Sequence, residues 1–404
     1  MGAPVPARLG VAVSGGSDSM AVMAALTLAY GDQGVFLRAA TVDHGLRPEA
    51  AEEASHVARQ AAALGLGHDI LRWQGWDGRG NVQDHAREAR YGLLAGWAKA
   101  HGLEMIALGH TADDQAETVL MRLGRAAGVD GLAGIPARRV AHDITFVRPA
   151  LGLRRAALRA FLRDQEISWI DDPSNEDTRY DRVRARKLLP QLAELGLSAE
   201  ALCDVAGNMR DARDALDWYT FTAARDHARV QTGAVAISQR AFRTLPTEIA
   251  RRLMIGALRW VGRGQYPPRR DAITRMVDDM RLGAGAATLQ GCIVLVRRGE
   301  IWIARESVAV ADHVTSADAI WDGRWCVPEA ESEDAATIRA LGDAGLTQCP
   351  DWRALGVPRA VALAAPALWQ GDRVMAAAIE NHPGAGRFEL IGGADEFFTT
   401  LLSH

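Results

Sequence analysis

Lysine is nearly absent from this 404-residue chain: Lys99 and Lys187 are the only lysines among 46 basic residues. Any basic surface is therefore built of arginine, whose planar fork suits bidentate contact with phosphate. A compositional bias of the genome would produce the same dominance. Cysteine is scarce too. The four present, Cys203, Cys292, Cys326 and Cys349, form no C-x-x-C pair. That excludes a dithiol redox motif, a cysteine zinc pattern and a dense disulfide framework. No apolar run approaches the roughly 18 residues that a membrane-spanning helix needs. The amino terminus lacks the succession of an export signal, and Pro6 stands where a myristoylation signal would want Ser or Thr. There is no internal repeat and no low-complexity tract. These absences leave the expectation of a reduced, cytoplasmic protein that does not engage a membrane.

What is present is ample core material, with 48% hydrophobic residues, and a length that predicts two or three domains. The net charge of −4 argues against a nucleic-acid partner until it is resolved along the chain. Between Arg225 and Arg275, eleven arginines face three acids (Asp226, Glu248, Asp271), whereas Ala311 to Pro350 holds eight acids and two arginines. The first stretch reads equally well as a polyanion-binding surface or as the solvated face of helices.

Short apolar runs (Leu9–Val13, Phe36–Val42, His68–Trp73, Glu104–Leu108, Ile144–Val147) alternate with helical spacing over Met20–Tyr30, Glu49–Leu64, Val82–Ala100, Ala112–Leu123 and Arg154–Gln165. Such alternation predicts an α/β fold: a parallel-sheet, Rossmann-like nucleotide-binding domain over residues 1–190, with ligands at the carboxyl ends of the strands. A helical domain over 191–283 and a small mixed α+β region over 284–404 complete the expected plan. Within the last, Ile293–Val296 and Ile301–Ala304 flank Arg297-Arg298-Gly299-Glu300 and predict a β-hairpin.

Ser14-Gly15-Gly16-Ser17-Asp18-Ser19 lies between the first strand and the first helix. Adjacent glycines let successive amides converge on one anion, and the helix start adds unsatisfied N–H groups and a positive dipole end. The serine hydroxyls supply further donors, and Asp18 suits a cap or a metal ligand. An ordinary capped turn is the bland alternative. No lysine follows, so this is not the phosphate loop of kinases and GTPases.

Other polar clusters end later strands. Asp43 and His44 close the second, where a strand cap is the plain reading and a nucleotide contact the functional one. Gly109 to Thr118 (GHTADDQAET) follows the fourth and opens a helix on which Asp114 and Glu117 share a face. Paired carboxylates there suit an ammonium group or a metal ion, although Thr111 or Asp113 could simply cap. Arg90, within Ala86–Tyr91, suits developing phosphate charge or plain solvation. Arg125 precedes the glycines Gly128, Gly131 and Gly134. Asp171-Asp172-Pro173-Ser174-Asn175 leads into Arg182, Arg184, Arg186 and Lys187.

The SGGSDS segment resembles the PP-loop ATP pyrophosphatases, which cleave ATP between the α- and β-phosphates and form an adenylate. With VDHGLR at 42–47, AREARY at 86–91, GHTADDQAET at 109–118, GVDGLAG at 128–134 and DDPSNED at 171–177, the first half closely resembles the tRNA(Ile)-lysidine synthetase family. The second half fits that plan only loosely. Ala126-Ala127 and Val183 depart from it, standing where the family often shows Gly-Ser and Asn. The resemblance implies a carbon–nitrogen ligase using ATP with Mg²⁺, L-lysine and an isoleucine tRNA bearing a CAU anticodon. It implies ATP binding at Ser14–Ser19, catalytic roles for Asp43, Arg90, His110, Asp114 and Glu117, and lysine held by Asp114 and Glu117. Arg125, Arg182, Arg184 and Arg186 would grip tRNA; the metal ligands stay open. A tRNA thiolase, a nucleotide-amidating ligase and a non-catalytic RNA-binding shell are the alternatives. The missing C-x-x-C pair and the intact loop argue against them.

Overall fold

The computed structural model describes residues 6–45, 50–73, 82–171, 177, 179–264, 266–328, 336–379 and 387–402. Leu46, Arg47 and the Asp172–Glu176 part of the DDPSNED turn lie outside the described residues. The chain divides into two compact units, Met1–Arg213 and Asp214–Ser403.

In the first unit the strands are β1 (Arg8–Ala12), β2 (Phe36–Asp43), β3 (Gly67–Arg72), β4 (Met105–Leu108), β5 (Arg138–Ala141) and β6 (Ile144–Val147). They form one sheet in the order β3-β2-β1-β4-β6-β5, parallel except for the β5–β6 pair. The connecting helices include α1 (Ser17–Tyr30), α2 (Ala50–Ala63), α3 (Val82–Ala100), α4 (Ala112–Leu123), α5 (Val129–Leu132), α6 (Arg155–Asp164) and α7 (Asp181–Ala193). The expected α/β class and all five expected strands are present. β5 was not foreseen: Arg138-Arg139-Val140-Ala141 is a mostly exposed edge strand with no apolar alternation.

The two sheet faces differ in grain because alternate strand residues point to opposite sides. Leu9, Val11 and Val13 pack with Met20, Met23, Val57, Leu158 and Leu162. On the other face Ala12 and Ala40 meet Tyr91, Leu94 and Trp97 of α3. Small residues are needed there: a Cβ on Gly10 would come within 2.7 Å of the Trp97 ring. β1 pairs with both β2 and β4, so the strand order reverses at its carboxyl end, where such sheets open a crevice.

Helix α8 (Ala199–His227) begins in the first unit and ends in the second. The second unit holds β7 (Ala228–Gln231), β8 (Ala234–Ser238), α9 (Gln239–Thr244), α10 (Thr247–Gly262), α11 (Arg270–Leu282), β9 (Ala286–Leu289), β10 (Cys292–Arg297) and β11 (Glu300–Arg305). The segment expected to be helical thus also contains a hairpin, β7–β8, which joins an antiparallel sheet of order β7-β8-β11-β10-β9. Apolar α10 and α11 residues such as Leu253, Leu258, Ile273 and Val277 cover it. The β10–β11 hairpin is tighter than the four-residue turn expected. Arg297 pairs with Glu300, and Arg298 and Gly299 both have positive φ, as a type I′ turn demands. Further on, a four-stranded antiparallel sheet includes Ala336–Ala340, Pro366–Gln370 and Arg373–Ala377.

Candidate active site

A cavity of about 920 Å³ opens at the carboxyl ends of β1 and β4, walled by Ser14, Gly16, Ser17, Asp18 and Ser19 on one side. Gly15 takes a φ of +87°, which only glycine adopts freely, and its carbonyl accepts from Ile170 N at 2.9 Å. Gly16 is the N-cap of α1 and has no side chain to occupy the helix amides. Those amides therefore remain available to an anion. Ser14 N donates to Ser19 Oγ at 3.1 Å, and Ser19 Oγ donates to Gly16 O at 3.0 Å. These bonds hold the turn from within. Gly109 supports it from behind: a Cβ there would sit 2.7 Å from Ser19 Cα and N.

Opposite the loop, α4 starts with a capping box in which Thr111 and Asp114 satisfy each other's backbone. Asp114 Oδ2 accepts from Thr111 N at 2.8 Å, leaving Oδ1 toward Arg155 at 3.2 Å and Arg182 at 3.3 Å. Arg155 also donates to Asp18 at 2.8 Å. One guanidinium thus bridges the glycine–serine loop and the α4 carboxylates. Burial pushes the Asp18 carboxyl above its usual range, with Arg155 opposing the shift. Arg159 adds a bond from Nε to Ser17 Oγ at 3.1 Å. Neither Arg155 nor Arg159 stood out in the sequence; the one signal was their place at the start of a helix after a strand.

Glu117 is placed differently from its partner. Its side chain is fully buried, and it accepts from Arg182 Nε at 2.8 Å and Arg186 Nε at 2.7 Å, with Arg155 at 3.8 Å. Asp114 lines the cavity and Glu117 does not. Arg182 and Arg186 also line it, yet both are engaged by Glu117. Arg125 and Arg184 both pair with Asp181 and lie outside the cavity wall. Asp43 likewise lies outside it, accepting from Gly45 N at 2.8 Å to cap its own turn.

The remaining wall carries one carboxylate, Asp171, paired with Arg159 at 2.6 Å, and is otherwise cationic. Arg90 and His110 line it, and Arg90 forms no ion pair among the described residues. Behind them Arg148 is buried, donating to Pro136 O at 2.7 Å and Tyr91 Oη at 3.2 Å. Burial, followed by the charge of Arg148, pushes His110 down to about 3. It is therefore a neutral imidazole near pH 7, and its Nδ1 is buried with no hydrogen-bond partner among the described residues. Nδ1 of His44 is in the same condition. Orphaned buried nitrogens of this kind are expected where a bound group completes the bonding.

No group of three or more His, Cys, Asp or Glu among the described residues could hold a metal ion. Mg²⁺ needs less when a nucleotide carries it, because phosphates and water fill most of its coordination sphere. Asp18, beside the loop amides, suits the single protein carboxylate of such a site.

The PP-loop domain profile matches residues 3–192. The tRNA(Ile)-lysidine synthase of Ruegeria pomeroyi is 51% identical over 399 residues, spanning 99% of this chain and 95% of that one. The chain belongs to that family. A relative of the same name from Hyphomonas neptunium is 38% identical over 307 residues, covering 74% of this chain and 81% of its own. One from Anaplasma marginale is 31% identical over 404 residues, covering 92% and 86%. Ala126 has a φ of +52°, a conformation that a glycine adopts without strain.

Proposed function

We propose that this chain is a tRNA(Ile)-lysidine synthase, a carbon–nitrogen ligase that uses ATP to join free L-lysine to a cytidine of isoleucine tRNA. The observation that carries the reading is the single cavity in which Arg155 links a phosphate loop, through Asp18, to the carboxylates of α4. Phosphate and ammonium chemistry are thus brought within one side chain of each other. The substrate we assign is the tRNA with a CAU anticodon, modified at its first anticodon position in the cytoplasm.

The chemistry explains why such a cavity is needed. O2 of cytosine is a poor leaving group until it carries AMP. O2 attacks the α-phosphorus of ATP, the bond to the β-phosphate oxygen breaks, and pyrophosphate departs into the loop of amides and serines. Arg90 supplies charge to the phosphates, and neutral His110 supplies a hydrogen bond rather than a second cation. Asp18 would hold Mg²⁺ carried in by the nucleotide, and the ion would supply neutralisation of phosphate charge there. The lysine ε-amine, freed of its extra proton, then attacks C2, and the C2–O2 bond breaks with release of AMP. A carboxylate of the Asp114–Glu117 pair accepts a proton from the amine.

Lysine reaches those carboxylates only if its ammonium replaces Arg182 or Arg186, which hold them in this structure. The same exchange governs RNA. Arg125, Arg182, Arg184 and Arg186 grip backbone phosphate by letting go of Asp181 and Glu117. Labelled lysine, ATP and isoleucine tRNA with a CAU anticodon test the proposal. Label must enter the RNA only when all three are present, and ATP-dependent sulfur or ammonia incorporation instead would replace it.

A further inference from the structure

We propose that the loop joining α10 to α11 is an RNA-binding platform, with Arg263, Arg269 and Arg270 on phosphates and Tyr266 stacked on an unpaired base. The inference rests on the reading of the chain as a tRNA enzyme and names where the second unit takes hold of that tRNA. Four surface arginines of the second unit find acids: Arg225 with Asp395, Arg229 with Glu300, Arg251 with Glu248 and Arg359 with Asp343. Others, such as Arg240 and Arg353, are exposed without an ion pair among the described residues, but at this loop three such arginines and a tyrosine fall within eight positions of sequence. Arg263, Arg269 and Arg270 are exposed and form no ion pair among the described residues. Asp271 is the acid in the first turn of α11, and it leaves this group with an excess of positive charge.

Tyr266 stands between these arginines with 74% of its surface exposed. An aromatic ring left in water beside unpaired guanidiniums matches what single-stranded nucleic acid binds: cations for the backbone and a flat face for a base. An acidic protein would use the same arginines, and competition with polyglutamate separates the two. Arg263 and Tyr266 are also held through their backbone, so little ordering cost falls on binding there. Arg263 ends α10 in the left-handed region at φ +55°. Gln290 Nε2 donates to Tyr266 O at 2.9 Å, and Pro267-Pro268 stiffens the approach to α11. The 13-residue helix α11 then points its amino end at the same surface, adding a positive dipole.

Binding of a fluorescent isoleucine tRNA transcript to the full chain, without ATP or lysine and over a range of salt, tests this directly. Tyr266→Ala is expected to weaken binding roughly five- to hundredfold, and Tyr266→Phe to restore it. Changing Arg263, Arg269 and Arg270 to Gln should lower the slope of log affinity against log salt by about 0.7–0.9 per lost contact. Wild-type affinity in Tyr266→Ala, or an unchanged slope in the triple variant, overturns the platform. So does displacement of the RNA by polyglutamate as readily as by unlabelled tRNA, which would mark a surface for acidic protein. The two readings fail separately. A wild type that transfers no lysine while the variants lose RNA refutes the enzymatic assignment alone; lysine transfer with undiminished RNA affinity in the variants refutes the platform alone.

Discussion

His110 shows how a side chain's surroundings decide its chemical role. Burial and the neighbouring Arg148 hold its pKa near 3, far below that of an unfolded histidine. Below about pH 6.5 the unfolded chain therefore takes up a proton that the folded chain refuses, and stability falls as pH drops from there toward 3. His44 and His68 are also depressed by burial and add to the same limb. We predict that His110→Asn flattens part of that acid limb in denaturant melts at pH 4 to 7, and an identical limb would contradict the burial argument. Two glycines separate ligand space from protein space. A Cβ at Gly16 meets only Ser14 Oγ, at 3.8 Å, whereas one at Gly109 collides with the Ser19 backbone. Gly16→Val should therefore keep the thermal midpoint and abolish ATP-dependent activity, while Gly109→Ala lowers both. Full activity in folded Gly16→Val would remove the loop from the mechanism. SGGSDS and GHTADDQAET were legible because each is chain-local. Arg155 was not, because it reaches Asp18 across 137 positions of sequence and no spacing rule covers that distance.

At the scale of elements, α7 is clasped to α4 by Glu117, whose two oxygens serve Arg182 and Arg186. The sequence revealed the shared face of Asp114 and Glu117, and the four-position spacing of Arg182 and Arg186 puts them on one face of α7. It did not reveal that the two faces meet, since facing helices are a tertiary fact. Glu117→Gln keeps shape and removes the charge; losing one partner of such a charge-assisted pair costs about 1.5–3 kcal/mol. We predict faster amide exchange in α7 and a lysine requirement raised roughly ten- to hundredfold, with adenylated tRNA still formed. Unchanged lysine dependence would contradict the carboxylate role, and loss of adenylation as well would move Glu117 to the ATP step. The strands of the first sheet were legible from apolar runs between helices. The β5 edge and the β7–β8 hairpin were hidden, the first by its exposed Arg138-Arg139 and the second by its place between long helices.

On the scale of the whole chain, charge is sorted rather than balanced. Among the described residues the cavity wall carries Arg90 without an ion pair, while Arg182, Arg184 and Arg186 of α7 are engaged by Glu117 and Asp181. RNA binding should accordingly be steeply salt-dependent. The two units were foreseeable as a change from strand–helix alternation to another pattern, but a boundary inside the continuous helix α8 leaves no composition break to read. One cavity is proposed to couple ATP cleavage to lysine attachment on a cytidine. Counting products with the purified chain tests this most directly. One AMP and one pyrophosphate should appear for each lysine joined to isoleucine tRNA, and replacing the first anticodon cytidine with uridine should stop lysine attachment. ATP cleaved to ADP, or lysine joined equally to the uridine-bearing tRNA, would contradict it.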